Sequence, residues 1–213
     1  MFRSFLFLLL PALLLAGGYP QPKSFTHAVK IFKQMDMDYR YTFLSNKEYD
    51  YDPATCMREL YLKNDHKIEV VFDRIVPEER MLNDRPCYTQ DICTDMMGKV
   101  YHGKRCCRKM DKAYKAYDRD ILNIVAVEEE SSIRFENPPS RVKGNIARVY
   151  LYMQLHHKLS LSEDEVKKFH QWHKEDAVDE KECALYEQIY KIQGRENPWI
   201  KSSCEILESK SSK

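Results

Sequence analysis

The stretch PPSRVKGNIARVYLYM, residues 138–153, decides how this chain is read. Pro138 and Pro139 break whatever precedes them, because proline lacks the N–H that a helix or a ladder needs. From about Asn145 onward Ile146, Val149, Tyr150 and Met153 recur at helical spacing and form one apolar stripe. Toward the carboxy terminus, Ser162 and Glu165 make the S-x-x-E pattern of a capping box. Val166, Phe169 and Trp172 face inward from the helix it opens. A last helix starts near Asp179, is striped by Cys183, Leu185, Ile189 and Ile192, and ends at Gly194 and Pro198. The Ser/Lys-rich segment 206–213 reads as a frayed tail.

Toward the amino terminus, Met110, Tyr114, Tyr117 and Ile121 repeat at helical spacing and lead into an apolar run over 121–127. KIEVVFDRIV, residues 67–76, is β-branched and aromatic enough for a buried strand, stopped by Pro77. The Tyr-rich segment 39–52 is irregular. Ser24 caps a helix whose face is Phe25, Ala28, Val29 and Phe32. Behind Arg3, residues 5–15 are almost wholly apolar, and Ala16 and Gly18 suit a signal-peptidase site before Tyr19. That run is too short to span a bilayer, so residues 1–18 read as a cleaved export signal. Residues 19–213 then read as one helix-rich α+β domain with a small β element near the middle.

Within 19–213 there are 33 basic and 33 acidic residues, so polyanion binding would need a local patch. The stretch 99–119 supplies one: Lys99, Lys104, Arg105, Arg108, Lys109, Lys112, Lys115 and Arg119 against Asp111 and Asp118, with tyrosines interleaved. A solvated helix face balanced by acids elsewhere explains the same composition. Seven cysteines (Cys56, Cys87, Cys93, Cys106, Cys107, Cys183 and Cys204) follow the signal. In an exported chain they read as disulfides, with an odd one left over. No CxxC pair supports zinc. His156/His157 and His170/His173 sit on amphipathic helices, where surface or half-buried imidazoles are ordinary.

The segment 138–153, then LSLSEDEVKKFHQWHK (159–174), the Cys183 segment and KIQGRENPWI (191–200) resemble the endonuclease I family. The family pattern is P-P-x-R-x-x-G-x-I-A-R-x-Y-x-Y-M, a helix, a W-E-C-like segment and K-x-Q-G-N-x-N-P. KSFTHAVKIFKQ (23–34) is similar to its first helix, and residues 85–109 to its basic, cysteine-bracketed loop. DRDILNIVAV (118–127) resembles its D-L-H-N-L block, and FDRIVP (72–77) falls where the family has W-E-H-V-V-P.

The resemblance implies a secreted or periplasmic Mg²⁺-dependent nuclease scaffold with a ββα-metal (His-Me finger) core, stapled by disulfides. Carried over residue by residue, the metal ligands become Asp73 and Asn123, and the general-base histidine becomes Arg74. An arginine has a pKa above about 12 and cannot accept a proton. The family's H-N-L histidine is Leu122, its next segment shrinks to residues 128–136, and some two to three dozen family residues are missing before Pro138. The resemblance pairs Cys87 with Cys107 and Cys183 with Cys204, and offers Cys93 or Cys106 as a replacement partner for Cys56. It adds Arg148 to Lys104, Arg105, Arg108, Lys109 and Lys112 as nucleic-acid contacts. The expected protein is a secreted endonuclease I-like chain with lost or much reduced phosphodiesterase activity and weakened or absent Mg²⁺. It would act by binding nucleic acid or an extracellular protein partner. The alternative is an active nuclease in which His66 or His102 serves as base.

Overall fold

A computed structural model of the protein describes residues 21–35, 40–51, 60–62, 69–128 and 137–211. The expected signal over 1–18, Cys56, His66 and the start of the strand expected at Lys67 lie outside these residues. In chain order the elements are α1 (Phe25–Gln34), β1 (Tyr49–Tyr51), β2 (Leu60–Leu62), β3 (Val70–Arg74), α2 (Glu78–Leu82), α3 (Pro86–Thr89), β4 (Cys93–Thr94) and β5 (Val100–Tyr101). They continue with α4 (Lys104–Met110), α5 (Lys112–Tyr117), β6 (Ile124–Glu128), α6 (Lys143–His157), α7 (Glu163–Glu175), α8 (Glu180–Gln193) and α9 (Pro198–Ser211). The strands form separate antiparallel pairs, β1–β2, β3–β6 and β4–β5. The architecture is the expected helix-rich α+β.

Local chemistry places most boundaries. Ser24 accepts the His27 N–H at the start of α1, and Ser162 and Glu165 close both bonds of the capping box before α7. Asp179 accepts from Glu182 N at the start of α8, and Gly194 ends that helix with φ near +66°, where a side chain would be strained. Three expectations shift. The strand is five residues long, with Ile75 and Val76 buried beyond it. Met110 lies 56% exposed, because Asp111 ends α4 and caps α5, so the stripe begins at Tyr114. Pro198 opens α9, which runs on through Leu207 to Ser211, where the composition suggests a frayed tail.

α6 is the central rod, packed against α7, α5 and α9. It starts two residues before Asn145 and is buried on nearly every side from Gly144 to Met153, not along one stripe. Tyr150 stacks on Phe169 at 4.6 Å, and Phe169 meets Trp172 edge-on at 5.8 Å. Each such pair is worth about 0.5–1.5 kcal/mol beyond its buried area. Gly144 is needed for close approach: a Cβ there would fall 2.0 Å from the Asp176 carbonyl oxygen.

Polar groups lock the helices where apolar packing alone would leave register free. Arg148, wholly buried, pairs with both carboxylate oxygens of Glu182 at 2.7 and 2.5 Å and donates to the Asp176 carbonyl at 2.7 Å. Burial pushes the Glu182 carboxyl up, and the bidentate Arg148 guanidinium works against that rise. Asn197 caps α9 through its carbonyl and side-chain oxygens, while its amide nitrogen donates to the Arg148 carbonyl.

A second lock centres on Asp120. Its carboxylate accepts from Tyr152 Oη (2.9 Å), Leu122 N (3.0 Å) and Gln193 Nε2 (2.9 Å), and lies 2.6 Å from His157 Nε2 and 3.3 Å from Arg195. Burial alone would raise this carboxyl, but His157, Arg195 and Gln193 outweigh it and hold it below the ordinary aspartate range. His157 is therefore a buried structural imidazole and not the surface group its helix suggested. Gln193 also accepts Ile121 N at 2.6 Å, so the end of α8 sets the turn that feeds β6.

Among the described residues three disulfides are formed: Cys87–Cys107, Cys93–Cys106 and Cys183–Cys204. The first and third are the pairs implied by the resemblance. The second corrects the idea that Cys93 or Cys106 joins Cys56, since they bond each other across the β4–β5 hairpin and α4. Arg85 ties this cysteine-bracketed unit to the core, donating to Asp111 at 2.5 Å and to the His157 carbonyl at 2.7 Å.

Candidate nucleic-acid interface

β3 and β6 run antiparallel from Val70↔Glu128 to Arg74↔Ile124. The pleat sends Asp73 and Arg74 to opposite faces. Arg74 turns toward the seam between α1 and α5, where its guanidinium lies 3.7 Å from the Phe25 ring centroid and 5.6 Å from that of Tyr117. It pairs with Asp118 at 3.0 Å. Asp118 is also 3.7 Å from Arg108.

Beside this pair Glu78 receives Lys104 at 2.5 Å and the Tyr114 hydroxyl, with Arg108 at 3.9 Å. Burial would raise Glu78, but its bonds to Lys104 and Tyr114 hold it below the usual carboxylate range. Burial also pushes the Tyr114 and Tyr117 hydroxyls upward, so both stay neutral. The cleft around Arg74 has a volume of about 630 Å³ and is lined by Lys23, Arg74, Arg108, Lys115 and Arg119, with Glu78 and Asp118 as its acids. Five cations stand against two carboxylates, and both carboxylates are already paired. No histidine of the described residues lines it.

The expected basic stripe is split. α4 sends Lys104 and Arg108 toward Glu78 and the cleft. One residue on, Arg105 sits over the Tyr101 ring at 5.0 Å and Lys109 donates to the Thr94 carbonyl at 3.2 Å, both on the hairpin side. After the break at Asp111, Lys115 and Arg119 return to the cleft, while Lys112 stays exposed. Arg148 must be removed from the set of nucleic-acid contacts, because it is 0% exposed and fully engaged by Glu182 and the Asp176 carbonyl.

At the implied metal positions both side chains accept a bond from a backbone N–H. Asn123 is 1% exposed; its Oδ1 accepts Val76 N at 2.7 Å and its Nδ2 donates to the Val76 carbonyl at 3.1 Å. It serves as a side-chain clamp on the strand end. Asp73 is exposed and folds back on the Arg74 N–H at 2.7 Å. A hard divalent cation needs several oxygen donors with lone pairs to spare and room for water. Among the described residues no group of three His, Cys, Asp or Glu side chains is placed to hold a metal ion. His102 is exposed and paired with Asp91 at 2.7 Å, outside the cleft lining.

The family model described as Endonuclease I matches residues 96–204. This chain belongs to the endonuclease I family. It is 34% identical over 96 residues to Endonuclease-1 of Buchnera aphidicola subsp. Baizongia pistaciae, a match covering 43% of this chain and 39% of that protein. It is 38% identical over 72 residues to a periplasmic deoxyribonuclease of Aeromonas hydrophila, covering 34% and 30%. Over 68 residues it is 37% identical to an extracellular deoxyribonuclease of the same species, covering 32% and 30%. The matches thus span less than half the length of these relatives. Within this endonuclease I family chain, Asn123 and the Asp120 and Arg148 locks fall inside the matched stretch, and Asp73 and Arg74 precede it.

Sequence reasoning missed Glu78 and Asp118 as the acids that organise the cleft, and the Asp120–His157–Arg195 lock. Asp120 and Arg195 stood inside the family-like blocks, so their positions were visible although their pairing was not. Glu78 carried no signal beyond opening α2.

Proposed function

We propose that this chain is an exported, nucleic-acid-binding member of its family whose phosphodiester cleavage is lost or much reduced. The observation that carries the reading is the state of Arg74, held between Asp118 and the Phe25 ring at the position of the family's general base. A guanidinium cannot deprotonate water. The loss of general-base catalysis alone is worth about 10²–10⁴ in rate. Asn123 supports the same reading, since its buried amide is turned onto the Val76 backbone rather than presented at an open site.

We read β3, β6 and α6 as what remains of the ββα-metal core, with its strand pairing kept and its chemistry replaced. The cationic cleft then serves as a phosphate-binding groove, with Arg74, Arg108, Lys115 and Arg119 as contacts and Lys104, held by Glu78, at its margin. The names of the Aeromonas relatives, one periplasmic and one extracellular deoxyribonuclease, support DNA as the ligand and a compartment reached through the signal over residues 1–18.

The test is purified 19–213 with supercoiled plasmid and with RNA, in Mg²⁺ or Mn²⁺ and in EDTA, alongside Arg74→His. The expected result is binding without nicking by either protein, because Arg74→His leaves Asn123 clamped. Nicking by the wild type that EDTA abolishes would overturn the loss of cleavage. Affinity that does not fall with salt would overturn the groove.

A further inference from the structure

The β4–β5 hairpin carries the most exposed apolar surface among the described residues. Met96 is 104% exposed and Met97 93%, and Val100 on the next strand is 54% exposed. Two adjacent methionines exposed together at a hairpin apex are not the scattered single hydrophobics of an ordinary surface. Methionine is the apolar side chain best able to adapt to an irregular partner.

This apex is held rigidly. Asp95 Oδ1 accepts both Met97 N (2.8 Å) and Lys99 N (2.9 Å), and Asp95 N donates to the Lys99 carbonyl at 3.0 Å. The base of the hairpin is bonded to α4 through Cys93–Cys106, next to Cys87–Cys107. Lys109 adds its bond to Thr94.

Its charge environment selects the partner. The nearby acids are engaged, Asp95 by its own turn and Asp91 by His102. Lys99, Arg105 and Lys109 surround the apex, so a polyanion is favoured. The hairpin does not stand alone, because α4 is shared: Arg105 and Lys109 flank the hairpin while Lys104 and Arg108 face the cleft with Arg74. A duplex whose backbone lies along the cleft and α4 would meet the apex at its edge.

We infer that Met96 and Met97 form an apolar wedge that enters a base step of bound duplex DNA, unstacking it and bending the helix. Proteins that bend DNA use such apolar wedges between base steps. This inference rests on the nucleic-acid reading above and adds a specific contact and a specific distortion to it.

The experiment uses 19–213 in EDTA with duplexes carrying 2-aminopurine and with end-labelled duplexes that report bending by energy transfer. Met96→Ser/Met97→Ser is compared with wild type, with thermal unfolding of each as the folding control. A second arm uses vesicles of phosphatidylcholine with and without phosphatidylserine. Wild type is expected to raise 2-aminopurine fluorescence and bend the duplex. The double variant is expected to melt as wild type does, lose both signals and bind at least about tenfold more weakly, as removal of buried apolar contact requires. Its salt slope should be unchanged, because no cation is removed. A double variant that distorts DNA as wild type does would overturn the wedge and leave the nucleic-acid reading standing. Absence of duplex binding by wild type at low salt would overturn both. Methionine-dependent binding to the phosphatidylserine vesicles with undisturbed DNA signals would assign the apex to a membrane surface and overturn the wedge.

Discussion

The helical half from α6 to α9 and the strand pair β3–β6 with its cleft carry family-like sequence to very different ends. In the helical half, the polar residues of the family-like blocks have visible structural partners. Arg148 grips Glu182, Asn197 caps α9, and Gln193 joins Asp120 to Ile121 N. At the strand pair, Arg74 is paired with Asp118 and Asn123 is clamped on Val76. Part of the family-like pattern thus serves to hold helices together. Family membership follows from the first region; what the protein does to a phosphodiester depends on the second.

Arg148→Met should break the helical half most severely. It leaves Glu182 buried without its cation, which costs about 3–5 kcal/mol, and Arg148→Met/Glu182→Leu should recover much of that loss. Thermal or denaturant unfolding of the two variants checks this, and equal instability of both would mean the pair is not the lock. Cys183→Ser/Cys204→Ser should cost about 3 kcal/mol, as expected for a bridge closing a loop near 20 residues. Chemical denaturation under non-reducing conditions reads it directly.

Acid should act on both regions. Asp120, Asp111, Glu78 and Glu165 all sit below their ordinary values in the folded state. The stability they contribute is therefore present above about pH 4, near the unfolded carboxyl values, and is lost as pH falls through the folded ones. Asp120→Asn should flatten that acid limb in a pH series of unfolding curves, and an unchanged limb would remove Asp120 from the account.

The smallest stability effect belongs to the cleft. Arg74→Ala should cost about 1–3 kcal/mol, less than Arg148→Met, since Asp118 keeps Arg108 at 3.7 Å as a second cation. It should lower the salt slope of DNA binding by about one counterion without shifting sequence preference. A severe folding defect in this variant would erase the contrast between the two regions.

Much of the fold was legible locally. The caps at Ser24, Ser162 and Asp179 and the stop at Gly194 act within four residues of chain, so a linear reading finds them. The cysteine pairs 87–107 and 183–204 came with the family resemblance, whereas 93–106 depended on where the hairpin meets α4. The site was less legible. Arg74 was visibly wrong for a base, but its partner Asp118 lies 44 residues away. Lys104 and Arg105 look alike in sequence, yet successive residues on a helix point about 100° apart and face different surfaces.

The sequence by itself determined the family, the helix-rich α+β class and the capped starts of α1, α7 and α8. Only the tertiary structure decided that Arg148 and His157 are interior locks, that Asn123 clamps a backbone, and that Met96 and Met97 stand in solvent. Composition and periodicity report what a residue is and which side of its own element it occupies. Whether a charge is buried or free depends on partners from distant elements, and these meet only when the chain packs.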